Sequence, residues 1–468
     1  MSERQIAVET RREIDPLGER LIPKDAYYGI QTLRAIENFP VSGIKEPTEF
    51  IKAYVLIKKA AASANLQIGC LDQEKAKAIM AACDEVVSGK LLDQFVVDVF
   101  QAGAGTSFNM NVNEVLANRA LEIIGKQKGD YKVVSPNDHV NMGQSTNDTF
   151  PTALNVSTLM ALQPLLTSLN ELAQAFDALG NKYAGVLKSG RTHLQDAVPL
   201  TVGQEFAAYG SAIANSSAEL RKRQENLYAV ALGGTAVGTG ANAHPKYKKT
   251  SIHELAKLTG FPLKPAGNNF EALQSQRAAQ TVSSGLKELA LELIRKANDL
   301  RLLASGPTTG FNEIVLPPVQ PGSSIMPGKV NPVMAECLDM VAYQIVGNDL
   351  AVSLAVQAGQ MELNVMMPAI AYNLLFSIQI LSNFIPVFTQ KCVKGITVNE
   401  AQCNQYLEKN PSLATLLAPY IGYMEAAKIA KQAQAENRTV KEIALEKKLL
   451  KPEEIEKIFS RKNLLNEQ

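Results

Sequence analysis

A mainly α fold is what the sequence predicts: a mixed, mostly helical N-terminal region (1–142), a long-helix middle (143–395) and a small helical end (396–468). Three observations predict it. Apolar residues recur at three- and four-residue spacing over stretches of twenty residues and more, while strand-like alternation is scarce. The five cysteines, Cys70, Cys83, Cys337, Cys392 and Cys403, are odd in number and form no C-x-x-C pair, so neither a disulfide framework nor a thiolate metal site organises the fold.

Charge and composition narrow the function classes. The 47 Lys and Arg against 46 Asp and Glu leave a net charge of +1, which gives no global attraction for nucleic acid or an anionic membrane. At 46% hydrophobic and 20% charged, the chain is a globular protein able to bury a sizeable core. The first fourteen residues mix Glu and Arg and lack the apolar run of a signal peptide, so a cytoplasmic location is expected.

The elements follow in order. Before residue 142 the helical patterns are short and broken by loops. In the middle region, 152–181 and 203–232 each read as a helix, and 270–304 reads as one helix about 50 Å long with Val282, Leu286, Leu289, Leu293, Ala297, Leu300 and Ala304 on its apolar face. The pattern over 333–357 is apolar on most of its circumference, which predicts burial on all sides in a bundle shared between subunits. Residues 363–390 carry no formal charge and exceed a membrane span in length. Asn364, Asn373, Gln379 and Asn383, with Pro368 and Pro386, favour instead a helix buried among helices, and no membrane partner is expected. The end region shortens again and closes on a charged segment.

Four polar segments carry the candidate chemistry: Gly103–Asn109, Gly143–Asp148, Gly190–Asp196 and Gly322–Asn331. Each sets hydroxyls, amides or a cation in a Gly/Pro-punctuated stretch just before a helical pattern. One such segment alone is a helix cap; four together suit a small carboxylate ligand, because helix N-termini favour anions. In the last segment Ser323 and Ser324 stand between glycines and prolines. Lys329 supplies a fixed cation and Asn331 a donor beside it. A serine acts as a base only where its alkoxide is stabilised.

Rival motifs fail on spacing. Gly322 to Lys329 has five residues between its glycines where a phosphate loop has four, and Val330 stands where the magnesium-binding hydroxyl would be. The run Gly233–Gly240 lacks the dinucleotide fingerprint and a preceding strand. The four histidines, His139, His193, His244 and His253, show no zinc spacing, so no metal site is expected. His193 alone lies inside one of the polar segments, beside Thr192.

Taken with Gly105-Thr-Ser, Asn137-Asp-His-Val-Asn, Gln144-Ser-Thr-Asn-Asp and Gly190-Arg-Thr-His-Leu-Gln-Asp-Ala, the segment Gly322-Ser-Ser-Ile-Met-Pro-Gly-Lys-Val-Asn331 resembles the signatures of the aspartase/fumarase superfamily, in that family's order and over nearly the whole chain. The resemblance implies a homotetramer whose long helices form a central bundle, with active sites shared by three subunits. It implies reversible addition across the double bond of fumarate, a small dicarboxylate substrate, and no required cofactor; divalent-cation activation is not legible.

Carried over by position, the resemblance makes Ser323 the base. It places Thr106, Ser145, Thr146 and Ser324 around the carboxylate that becomes the aci form. Lys329 and Asn331, assisted by Thr192, hold the other carboxylate, and Asn147 and His193 lie near the leaving group. In hydratase relatives a glutamate at the position of Glu336 pairs with the histidine. The run Ala26–Phe39 and the segment Gly310–Ile314 resemble the ammonia-lyase branch, which acts on L-aspartate, with Arg34 a minor candidate for ligand contact. Asn269–Leu273, Met367 and Gly306–Gly310 depart from that branch, which keeps a class II fumarate hydratase as the alternative. A catalytically silent helical scaffold is a third reading, opposed by the intact Ser323, Lys329 and Asn331.

Overall fold

A computed structural model of the chain describes residues 9–465. Met1–Val8, which hold over half of the stretch read above for a signal peptide, lie outside the described residues. The chain packs as two compact units, each assembled from separated segments.

The first unit takes the chain up to Leu166, then Ala218–Glu288 and Tyr343–Leu381. It opens with an antiparallel hairpin, β1 (Thr10–Asp15) and β2 (Gly18–Pro23), followed by α1 (Ile30–Asn38), α2 (Thr48–Gln67), α3 (Gln73–Val87) and α4 (Thr106–Ile123). Helix α2 is rich in alanine, and Ala53, Ala60, Ala61 and Ala64 are fully buried, so neighbouring backbones approach closely. Its Phe50 and Tyr54 join Phe108 and Phe150 in an aromatic cluster with centroids 5.0–6.1 Å apart.

Helix α4 is buried on nearly every side although Asn109, Asn111, Asn113, Glu114 and Asn118 lie along it. These polar groups tie loops to the helix. Asn111 accepts from the amide of Val96 and donates to the carbonyl of Gln94. Asn118 donates to the Tyr27 carbonyl, and Glu114 accepts the amides of Gly29, Gln31 and Thr32 at the start of α1. A buried helix whose polar residues are each given a partner has no apolar stripe to detect.

The second unit holds Thr167–Ser217, Leu289–Ala342 and the chain from Ser382 onward. It contains the hairpin β3 (Leu187–Thr192) and β4 (Gln195–Thr201), and a cluster of short C-terminal helices around Leu407, Leu417, Ile429, Ile443 and Ile455. The long helices are α5 (Thr146–Lys182), α6 (Val202–Arg223), α9 (Arg277–Leu303), α10 (Val333–Gln357) and α11 (Met367–Lys391); α7 (Tyr247–Thr259) and α8 (Asn269–Gln274) are shorter. At about 1.5 Å per residue, the 37 residues of α5 span about 55 Å. Two-residue strands β5 (Ala229–Val230), β6 (Lys264–Pro265), β7 (Ile314–Val315) and β8 (Thr397–Val398) complete the elements used below.

Two expectations change. The segment 270–304 is two helices, broken where Gln276 turns left-handed at φ 50° and its amide donates back to the carbonyls of Ala272 and Leu273. The segment Gly190–Asp196 is a hairpin tip, with the next helix beginning at Val202. Helix α10 leaves Met340, Tyr343, Leu350 and Leu354 55–63% exposed in the single chain, on the helix for which burial between subunits is expected. Helix α11, although long and apolar enough to cross a membrane, carries Met367, Ile370, Leu374, Ile378 and Ile385 into the core, and its Ser377 accepts from Asn348 of α10.

Candidate functional site

Two helices of the first unit begin at one pocket. Thr106 opens α4 and Thr146 opens α5, and both line a cavity of about 390 Å³ together with Gln31, Asn109, Asn141, Gln144, Ser145, Thr235 and Asn242. The entry to α4 depends on Gly105, at φ 90°. A Cβ there would stand 2.1 Å from the Phe150 ring, so only glycine lets the helix start against the aromatic cluster. The first-turn amides of a helix have no partner within it, so two helix starts give the pocket a positive character toward an anion.

Beneath the pocket lies a fully buried cation. The Lys58 ammonium donates to Asn109 Oδ1 at 2.7 Å, Asn141 Oδ1 at 2.9 Å and Gln144 Oε1 at 2.9 Å. Asn109 in turn donates from Nδ2 to Thr146 Oγ1 at 3.0 Å. Thr146 therefore accepts from below and keeps its own hydroxyl hydrogen for the pocket. Behind α5, the buried Asp148 accepts the amides of Ser145 at 3.0 Å and of Gly233 and Thr235 at 2.9 Å, which folds the glycine-rich run onto the helix start. Asn147 donates to the Ala236 carbonyl in the same run.

Burial governs both charges. It pushes the Asp148 carboxyl up to about 6 against the pull of its three amide bonds. Desolvation pushes Lys58 down to about 7 from 10.5, against the attraction of Asp148. For a lysine depressed in the folded state, the unfolded chain binds more protons between those two values, so stability rises with pH across that window and is lost as pH falls through about 7. Against Lys58→Met, the wild type gains on the order of 2 kcal/mol of unfolding free energy from pH 7 to pH 9. Urea titrations of both proteins at each pH check this, and parallel curves would remove Lys58 as the titrating group.

The remaining candidates lie in the second unit. Thr192 and His193 sit exposed at the β3–β4 tip, where Thr192 pairs with Gln195. Ser323, Ser324, Lys329 and Asn331 lie on the loop between β7 and α10, which encloses about 530 Å³ within its own curve. Its neck is closed by Asn331, which donates to the Gly322 carbonyl; a Cβ at Gly322 would stand 2.0 Å from the Lys329 carbonyl oxygen. Ser323 Oγ accepts the amides of Ile325 at 3.3 Å and Met326 at 3.0 Å, a local turn that presents the half-buried hydroxyl. Glu336 lies in the first turn of α10.

Thr106, Ser145 and Thr146 thus gather at one pocket, which Asn147 does not line although it donates to the carbonyl of Ala236 in its wall, while Thr192 with His193, the Ser323 loop and Glu336 occupy a hairpin tip, a loop and a helix start of the other unit. Arg34 is corrected: its guanidinium is held by both carboxylate oxygens of Asp15 at 2.8 Å and by the Gly18 carbonyl, so it pins the β1–β2 hairpin. Lys58, Asn109, Asp148 and Thr235 are additions. The signal for Asp148 lay inside a polar segment already singled out, and that for Thr235 in the glycine-rich run set aside as a nucleotide motif. Lys58 gives no signal, because the lysines of an alanine-rich helix, Lys52, Lys58 and Lys59, read as a solvated face. Among the described residues no group of three or more His, Cys, Asp and Glu is placed to hold a metal ion.

Residues 18–347 match the family described as Lyase, and residues 413–466 that described as Fumarase C C-terminus. The aspartate ammonia-lyase of Bacillus sp is 49% identical over 452 residues, which cover 97% of each chain. That of Escherichia coli (strain K12) is 45% identical over 459 residues, 97% of this chain and 96% of its own. A fumarate lyase:delta crystallin from Brucella melitensis, solved bound to cobalt, aligns at TM-score 0.94 and 49% identity over 96% of this chain and 98% of that one. A class II fumarase from Schistosoma mansoni aligns at TM-score 0.95 and 38% identity, over 98% of this chain and 100% of its own.

Proposed function

The chain belongs to the family described as Lyase, and from that premise we propose that it eliminates ammonia from L-aspartate, reversibly, to give fumarate. The full-length identity of 45–49% to aspartate ammonia-lyases carries the leaving group, against 38% to the fumarase. The pocket at the starts of α4 and α5 carries the reaction class, because it concentrates donors where a carboxylate gathers charge.

In this reading Ser323 takes the proton from the carbon beside one carboxylate. The electron pair moves into that carboxylate, making a dianionic aci form, and then returns to build the double bond as the carbon–nitrogen bond breaks. The proton is weakly acidic, so the rate depends on donors that bind the dianion better than the substrate. Ser145 and Thr146, with Ser324 of the loop, supply them, the outward hydroxyl of Thr146 fits that task, and Thr106 joins them by turning its hydroxyl from the Gly103 carbonyl. Lys329, Asn331 and Thr192 hold the other carboxylate, while Asn147, His193 and Glu336 serve the departing amine. Side chains and helix ends carry the whole sequence with no organic cofactor.

The working unit in this reading is a homotetramer with each site built from three subunits, in the cytoplasm. Helix α10 supports it: exposed Met340, Tyr343, Gly347, Leu350 and Leu354 follow one another at spacings of three, four, three and four, the seam of a coiled coil awaiting a second copy. Matched L-aspartate and L-malate, followed by ultraviolet absorbance of fumarate, test the chemistry. Turnover of aspartate alone is expected; turnover of malate alone would transfer the same residues to a hydratase. Sedimentation velocity tests the assembly, and a monomer at micromolar concentration would refute it.

A further inference from the structure

Glu313 has no part in the chemistry above, yet it is 1% exposed and bound to two cations. Its carboxylate takes both terminal nitrogens of Arg191, at 3.1 and 2.8 Å, and the Lys188 ammonium at 2.8 Å, which also binds Glu205. The Arg191 guanidinium lies over the rings of Phe311 at 4.5 Å and Tyr406 at 5.6 Å. An arginine held by a bidentate carboxylate and two rings has one orientation.

Arg191 is the residue before the hairpin tip, and the tip is strained. His193 and Leu194, the two residues between the paired Thr192 and Gln195, are both left-handed, at φ 56° and 59°. Such turns favour Asn-Gly, and leucine adopts that region rarely, so the conformation persists only where surroundings over-determine it. On the outgoing strand Asn410 donates to the Ala197 carbonyl at 2.7 Å and Ser412 to the Asp196 carbonyl at 2.9 Å. On the incoming strand Asn410 also donates to Ser189 Oγ at 3.0 Å, the register slips between Ser189 and Arg191, and beyond that slip the Arg191–Glu313 fork adds a restraint next to the tip. Glu313 also stands at the root of the Ser323 loop. Its carbonyl accepts the Asn399 amide at 2.9 Å, and it leads directly into β7, which pairs with β8.

We propose that Glu313 is a positioning residue: through Arg191 it holds the His193–Leu194 turn in its left-handed form and fixes it to the strand from which the Ser323 loop departs. This rests on the reading that Thr192 and His193 meet the substrate.

The test uses the full-length assembled protein with Glu313→Gln, Arg191→Lys and Arg191→Lys combined with Leu194→Gly; should Glu313→Gln not fold, the arginine variants carry the test. Arg191→Lys keeps the charge and loses the fork. It is expected to lower kcat/KM for L-aspartate at least about tenfold and to speed amide exchange at residues 190–196 with the thermal midpoint held. Leu194→Gly, which adopts the turn without strain, is expected to bring the double variant back to within about threefold of wild type. The proposal fails if Arg191→Lys leaves tip exchange and kcat/KM within about twofold of wild type, or if the glycine restores neither. Should the wild type release no fumarate from aspartate, the functional reading falls, and the exchange data alone decide the clamp.

Discussion

Ser323→Ala lowers turnover of L-aspartate by about 10³-fold, the scale of a lost general base, and leaves the thermal midpoint where it was. The two halves of that expectation have separate causes. Catalytically, in the proposed mechanism no other group on the loop takes the proton: Ser324 and Lys329 are given to the two carboxylates. Structurally, Ser323 Oγ accepts only from the amides of Ile325 and Met326, both exposed and both able to turn to water. The loss therefore falls in kcat, and the KM for aspartate changes by less than about threefold, because the carboxylate contacts remain. Stopped-flow and steady-state assays of the purified variant check this. Activity within about tenfold of wild type would remove Ser323 from the base role.

Asp148→Ala has the largest expected effect on stability. The carboxylate is fully buried and is the acceptor for three backbone amides, those of Ser145, Gly233 and Thr235. Alanine strands all three away from water. At roughly 1–3 kcal/mol for each buried donor left unpaired, partly relieved as the run 233–235 relaxes, the unfolding free energy should fall by about 4 kcal/mol. Asp148→Asn keeps one acceptor oxygen and should cost about half as much. Because Ser145 and Thr235 both line the pocket, each variant should also raise the KM for aspartate. Chemical denaturation measures the first effect. A loss below about 1 kcal/mol in the alanine variant would show that the glycine-rich run is held to α5 by something else.

Much of the helical frame was legible because burial writes itself as periodicity. Val282, Leu286, Leu289, Leu293, Ala297 and Leu300 are spaced for one helix face, and all are buried on α9. Periodicity says nothing about interruption, so the left-handed Gln276, which caps α8 with its own side-chain amide, was invisible and two helices read as one. Helix α4 shows the opposite limit: its buried asparagines follow the needs of particular loops, and no period describes those needs.

The site divides in the same way. Thr106, Ser145 and Thr146 were legible as cap-forming residues, because hydroxyls at helix starts leave a local mark, and they do meet at one pocket. Lys58 was not: its role comes from being opposite Asn109, Asn141 and Gln144, residues 51 to 86 positions away. Gly190–Asp196 misled because threonine, aspartate and glycine serve hairpin tips as readily as caps, and the left-handed pair His193–Leu194 breaks the turn rule that would have announced a hairpin. Gly310–Ile314 stood out only through resemblance; its physical content is the Glu313 carboxylate under Arg191.

The open seam of α10 bears on how the protein is made. In the proposed assembly a newly folded chain carries Met340, Tyr343, Leu350 and Leu354 bare to water until another copy covers them, and an apolar stripe discriminates poorly between a folded copy and an unfolded one. Biogenesis is then a race between two second-order encounters. At low chain concentration the stripe waits uncovered, and at high concentration it meets chains that have not finished folding, so the yield of active protein passes through a maximum. Slowing translation, or supplying a chaperone that shields the stripe during folding, shifts that maximum without altering a single residue at the pocket.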